Sequence, residues 1–116
     1  MSQIEMYEAV ANSPFTTLVG SINSTQTIIT VSDSSVLPSA PNLLVIGYDK
    51  ENPETCLYTN ITGNVITIQR ATEGTASSFE SDTKIARIFT AKDYNSLVKN
   101  IKDLSIKQIA MSIALS

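Results

Sequence analysis

Apolar and polar residues alternate with a period close to two along most of this chain, and the pattern changes once, at Thr90. Upstream of that point six segments read as strands. "TTLVGSI" (16–22) is the first and "TIITV" (27–31), β-branched almost throughout, is the second. "LLVIGY" (43–48), "TCLYT" (55–59), "VITIQ" (65–69) and "KIARIF" (84–89) follow. Turn chemistry separates them in "NSTQ" (23–26), "SDSS" (32–35) and "DKENPE" (49–54). "LPSAP" (37–41), with two prolines, predicts an extended loop. Gly63-Asn64 can supply the positive φ of a tight turn, so 55–69 is expected to be a β-hairpin. Residues 1–14 read as an arm ending at Pro14, which biases Ser13 toward extended geometry.

Beyond Thr90 the period lengthens. "TAKD" is a capping box in which the Thr90 hydroxyl accepts from the Asp93 N–H and Asp93 reaches back to the Thr90 N–H. Tyr94, Leu97, Val98, Ile101 and Leu104 then recur at helical spacing. A helix is predicted over about 91–103, with Leu97 and Ile101 mostly serving the β domain. "SIKQ" (105–108) is a second box, and the apolar stripe shifts there to Ile106, Ile109, Ala110 and Ile113. Either a kink or a second short helix is expected. The architecture implied is mainly β: a small antiparallel β-sandwich or barrel with an N-terminal extended arm and a C-terminal helical segment. The boundaries are 1–15 for the arm, 16–90 for the β domain and 91–116 for the helical segment, within one domain overall.

Composition narrows the chemistry. The 116 residues are 42% hydrophobic, enough for one core. Net charge is −3 with no Lys/Arg block, so the electrostatic footprint of a nucleic-acid binder is missing. There is no His, and Cys56 is the only cysteine. That excludes an intramolecular disulfide, a thiolate or imidazole zinc site, and Ser-His or Cys-His nucleophile pairs. Cys56 lies in the apolar run "ETCLYT" and reads as a small buried hydrophobe. The N-terminus lacks the pattern of a signal peptide, and no apolar run approaches the ~18 residues of a membrane span. No metal, cofactor or membrane insertion is expected.

Carboxylates are the remaining catalytic material. "QRATEGTA" (69–76) crowds Arg70, Thr72, Glu73, Gly74 and Thr75 into one segment, as a ligand loop, a catalytic turn or a scaffold corner would. Arg70 beside Glu73 would keep that carboxylate ionised, opposite to what a general acid needs. The two are expected to make a structural ion pair or to bond turn amides. Gly74 stands alone, without the glycine spacing of a phosphate cradle. Phe15, Tyr48, Tyr58, Phe79 and Phe89 are expected to fill the core. The tail "LSIKQIAMSIALS" (104–116) is apolar on nearly all sides, so it must be covered by its own domain or by a partner. The small size of the domain favours a partner, with Ile106, Ile109, Met111, Ile113 and Leu115 as the interface.

The blocks "YEAVANSPFTTL", "TQTIITVSDSSVLPSAPNLLVIG", "ETCLYTNITGNVITIQRATEGTA" and "ARIFTAKDYNSLVKNI" occur in that order. Together they resemble a module of tailed-phage and prophage tail proteins. It is the N-terminal baseplate-attachment region of tail-fibre and baseplate proteins from Gram-positive phages and phage-tail-like bacteriocins. The resemblance covers roughly residues 7–103. The family's loop usually reads R-G-x-x-G-T-x-A, and Ala71 stands here in place of the second residue. Tyr94 follows the T-A-x-D box where relatives often carry His. No catalysis is implied.

The resemblance makes "QRATEGTA" a scaffold corner, with Arg70, Glu73, Gly74 and Thr75 as its structural residues. Its partners would be other tail and baseplate proteins, a tail fibre among the candidates, with multiple copies in a symmetric assembly. The location would be the virion or tail-like particle, after synthesis in a bacterial cytoplasm. Relatives often continue into a fibre or receptor-binding region, which a chain ending at Ser116 is expected to lack. The alternative is a small carbohydrate-binding or adhesin module, which would need exposed aromatic rings on one face. An enzyme has the least support.

Overall fold

The computed structural model describes residues 3–115, with side chains described as far as Leu104. Six strands form one antiparallel sheet: β1 (Phe15–Thr17), β2 (Ile28–Thr30), β3 (Asn42–Ile46), β4 (Glu54–Thr62), β5 (Val65–Glu73) and β6 (Lys84–Ala86). A 3-10 turn covers Ser34–Val36, and one helix, α1, runs from Ala91 to Leu115. The helix is assigned without a break, so the second short helix, one of the two alternatives expected at "SIKQ", is not present. Ser105 lies inside α1, where an S-x-x-Q box has no free N–H groups to cap.

The chain divides into two compact units, residues 7–88 and residues 3–6 together with 89–115. In the first, the strands lie in the order β1-β6-β3-β4-β5-β2. The sheet curls into a half-barrel, and an isolated bridge between Leu18 and Val31 joins its two edge strands. Backbone bonds from Val19 N to Thr30 O and from Ser32 N to Thr17 O, each 2.9 Å, flank that bridge. Inward-facing Leu18, Ile29, Val31, Leu44, Ile46, Cys56, Tyr58, Ile66, Ile68 and Ile85 fill the core. β-Branched residues supply most of it, as alternating strands of this composition dictate.

The hairpin is the longest pairing, and it is longer than the pattern suggested. Its turn is Gly63-Asn64, with Gly63 at φ +60 and Thr62 opposite Val65, the Gly-first arrangement of a type II′ turn. β5 continues through Glu73, so Arg70–Glu73 belong to a strand and not to a loop. Two register shifts interrupt the ladder, one between Thr55 and Leu57 and one between Tyr58 and Asn60. At the first, β5 advances from Gln69 to Glu73 while β4 advances only from Leu57 to Thr55. The extra residues form a bulge around Ala71, whose φ is +54. Left-handed backbone is the geometry that glycine serves without strain, and here an alanine adopts it.

The arm is tied down in two places. Arg87 is 1% exposed and donates to the carbonyls of Glu8 (2.9 Å), Tyr7 (3.2 Å) and Ile88 (2.7 Å). Asn42 Nδ2 also donates to Glu8 O at 3.0 Å. Residues 7–8 are therefore part of the β unit.

In the second unit, Ile4 N donates to Asn100 Oδ1 (2.8 Å) and Asn100 Nδ2 returns a bond to Ile4 O (2.9 Å). Gln3 Nε2 donates to Asp103 Oδ2 at 3.0 Å. Residues 3–4 thus lie along α1 and cover polar side chains: Ser96, Asn100 and Asp103 are the buried positions of its described part. The apolar stripe faces outward, with Tyr94 58%, Leu97 40%, Ile101 52% and Leu104 57% exposed. Within this unit, Leu97 and Ile101 are not covered. Among the described residues no helix is long and apolar enough to cross a membrane.

Candidate functional site

The segment that drew attention in the sequence is organised around a residue outside it. Glu54 opens β4 and its side chain is 0% exposed. Glu54, Cys56 and Tyr58 occupy alternate positions of the strand, so all three point into the core. The bulge at Ala71 turns Arg70 toward Glu54, as bulges commonly re-aim a side chain. Arg70 Nε donates to Glu54 Oε2 and Arg70 Nη2 donates to Oε1, both at 2.8 Å, a bidentate pair.

Every donor and acceptor of this pair is engaged. Arg70 Nη1 donates to the carbonyls of Asn23 (2.6 Å) and Gln26 (2.9 Å), and Nη2 donates to that of Ser77 (2.6 Å). Those bonds use all five N–H groups of the guanidinium. Glu54 also accepts from Ala71 N (2.9 Å), Ser77 N (3.0 Å) and the Cys56 thiol (3.3 Å). One ion pair therefore joins four pieces of chain: the β4 start, the β5 bulge, the turn at 23–26 and the loop at 77.

The electrostatics follow. Burial alone would raise the Glu54 carboxyl, but the bonds from Arg70, Ser77, Ala71 and Cys56 outweigh it and hold the group below the usual carboxylate range. The bond to Glu54 raises Arg70 in turn. Burial, reinforced by the Glu54 charge, pushes the Cys56 thiol up to about 12. Cys56 is thus an inert thiol at neutral pH, with no thiolate to act as nucleophile.

Arg70 and Glu73 were expected to make a structural ion pair or to bond turn amides, and Arg70 does bond backbone groups of the turn at 23–26. The correction concerns the ion pair: its partner is Glu54 and not Glu73. Glu73 ends β5 opposite Thr55. Gly74 follows at φ +79, and an added Cβ there would stand 2.8 Å from Pro53 O, so only glycine fits. The Thr75 carbonyl accepts from Ser77 Oγ at 3.0 Å. A cleft of about 420 Å³ beside this corner is lined by Glu51, Asn52, Pro53, Gly74, Thr75 and Ser77, with Glu51 as its one charged group. That does not make an acid–base pair.

The helix cap has the geometry of a capping box. Asp93 Oδ2 accepts from Thr90 N and Thr90 Oγ1 at 2.9 Å each, and Asp93 N donates to Thr90 Oγ1 at 3.2 Å. Ile106, Ile109, Met111, Ile113 and Leu115 lie outside the residues whose side chains are described.

Among the aromatics, Tyr58 and Phe79 are buried as expected, whereas Phe15 is 51% and Phe89 67% exposed. Lys84 Nζ sits 4.9 Å from the Phe15 ring centroid, an arrangement that favours leaving the ring at the surface.

Sequence reasoning missed Glu54, Ser77 and Arg87. Only Glu54 left a usable signal: it stands two residues before Cys56 in a strand whose alternate positions are apolar. No protein-family model matches the sequence, and no characterised protein matches it at a significant level.

Proposed function

We propose that this chain is a structural protein of a phage tail or phage-tail-like particle. It sits at the baseplate or tail-fibre attachment site, acts by docking to other tail proteins and catalyses no reaction. The order of sequence blocks supports the tail assignment. The observation that carries the structural role is the complete engagement of Arg70 and Glu54. The most chemically suggestive residues of this corner, Arg70 and Glu54, are consumed in tying the chain's own loops together, which suits a rigid corner.

The test is particle incorporation. The tagged chain, expressed during tail assembly, should co-purify with sedimented particles at a fixed ratio to the tube protein. Its absence from intact particles overturns the proposal. A glycan-array screen of the same protein addresses the adhesin alternative, for which specific sugar binding would be required.

A further inference from the structure

The β unit holds residues 7–8 by their main chain. Arg87 and Asn42, each 1% exposed, donate from buried side chains to the carbonyls of Tyr7 and Glu8. Asn42 is itself aimed by the bond that its Oδ1 accepts from Leu43 N at 2.7 Å, which leaves Nδ2 for the arm. The arm contributes little side-chain burial in return: every position from 3 to 12 is half-buried or exposed. A main-chain carbonyl is the same acceptor in every residue, so these bonds read backbone and not side chains. Arg87 and Asn42 thus form a small receptor for a peptide segment, filled here by the chain's own residues.

The link from this segment to β1 is strained. Ser13 N donates to Val10 O at 3.2 Å and closes a tight turn. Asn12 and Ser13 hold φ +64 and +42 in succession. Asparagine tolerates left-handed backbone, but serine gains nothing from it, and Ser13 precedes Pro14, which favours extended geometry. Detaching the arm lets both residues relax, so the joint works against the bonds that hold residues 7–8. A short strained hinge beside an element that every copy carries is the arrangement that invites exchange between chains.

We infer that the N-terminal arm is a detachable strap, and that the Arg87–Asn42 receptor takes the same segment from a second copy of the chain. The occupant follows from identity. A second copy's arm offers the same two carbonyls, so the buried guanidinium and amide keep their acceptors and only the hinge changes conformation. An emptied receptor would strand buried donors, which is costlier than trading one arm for another. The inference stands on the arm and its receptor and is independent of the tail assignment.

Two measurements test it. In the first, a protease recognition sequence is inserted between Val10 and Ala11 and cut in the folded full chain. A fluorescein-labelled synthetic peptide of residues 3–10 should then replace the cut arm saturably, followed by anisotropy. A peptide with an ester in place of the Glu8–Ala9 amide, which weakens the Glu8 carbonyl as an acceptor, should bind about tenfold more weakly. Glu8→Ala in the peptide should change binding by less than about threefold, since that side chain is exposed. In the second, sedimentation of the uncut chain should show association that grows with concentration. Ser13→Gly, which relieves the hinge, should reduce it. No binding of the peptide to the cut, folded chain overturns the inference, and so does equal binding of the ester and amide peptides. A chain that stays monomeric at every concentration, or association that Ser13→Gly leaves unchanged, overturns it too, and this second measurement decides even where the cut chain unfolds.

Discussion

Glu54 and Arg70, sixteen residues apart in sequence, meet as a bidentate ion pair with the carboxylate fully buried and the guanidinium nearly so. Desolvating two charges is expensive, and the compensation comes from the surrounding hydrogen bonds as much as from the pair itself. Removing one partner is therefore far worse than removing both. Arg70→Ala and Glu54→Gln should each cost about 3–5 kcal/mol in denaturant unfolding. Glu54→Leu combined with Arg70→Met should cost clearly less than the sum of the two single changes. Simple additivity would mean that the two groups act independently.

Acid should weaken the fold through the same carboxyl. The folded-state value of Glu54 is depressed, so the unfolded chain binds more protons in acid. Its contribution is fully present above the ordinary glutamate value of about 4.3 and is lost as pH falls through the lower folded value. Thermal melts from pH 7 to 3 should show this decline. The Glu54→Gln variant should be less stable at pH 7 and show a shallower acid slope.

Backbone strain at the bulge gives a stabilising substitution. Ala71 holds φ +54, so Ala71→Gly should raise stability, by up to about 1 kcal/mol after the greater unfolded-state entropy of glycine is counted. Gly74→Ala has the opposite sign. It combines φ +79 with a contact 2.8 Å from Pro53 O, and should destabilise by more than about 1 kcal/mol. Equal shifts in the two melting temperatures would remove the strain account.

The cap should behave as a reciprocal unit. Thr90→Ala and Asp93→Ala should each lower stability by on the order of 1 kcal/mol, and the double variant should lose less than the sum. Helical ellipticity at 222 nm, followed through a melt, is the readout.

Cys56 provides a report on opening of the β unit. With its thiol raised to about 12 and no surface exposed, it should resist alkylation at pH 7 until the β unit unfolds. Rapid labelling of the native protein would contradict the buried assignment.

Local chemistry was legible in the sequence, and long-range partnership was not. The hairpin could be read because Gly63-Asn64 sits between alternating β-branched runs. The cap could be read because its two side chains are three residues apart. The corner was located but its ion-pair partner was not, since Glu73 is near Arg70 in sequence and Glu54 is brought there only by sheet register and a bulge. The helical stripe was identified but not its exposure. Periodicity shows which residues share a face; here it is Ile4 bonding Asn100, ninety-six positions away, that helps decide which face is covered. Arg87 is anchored by carbonyls about eighty positions upstream, with no motif to announce it.

Joining Leu18 to Val31 has a consequence for how neighbours can attach. Strand addition recruits a peptide by offering it a row of unsatisfied N–H and C=O groups at a sheet margin. Here the first and last strands direct such groups at each other, from Val19 to Thr30 and from Ser32 to Thr17. The margin that would template a foreign strand is closed where they meet, which also protects against edge-to-edge stacking at high local concentration. What this stretch of margin presents to solvent is therefore written in side chains, which surface substitution can change while the backbone that displays them stays the same.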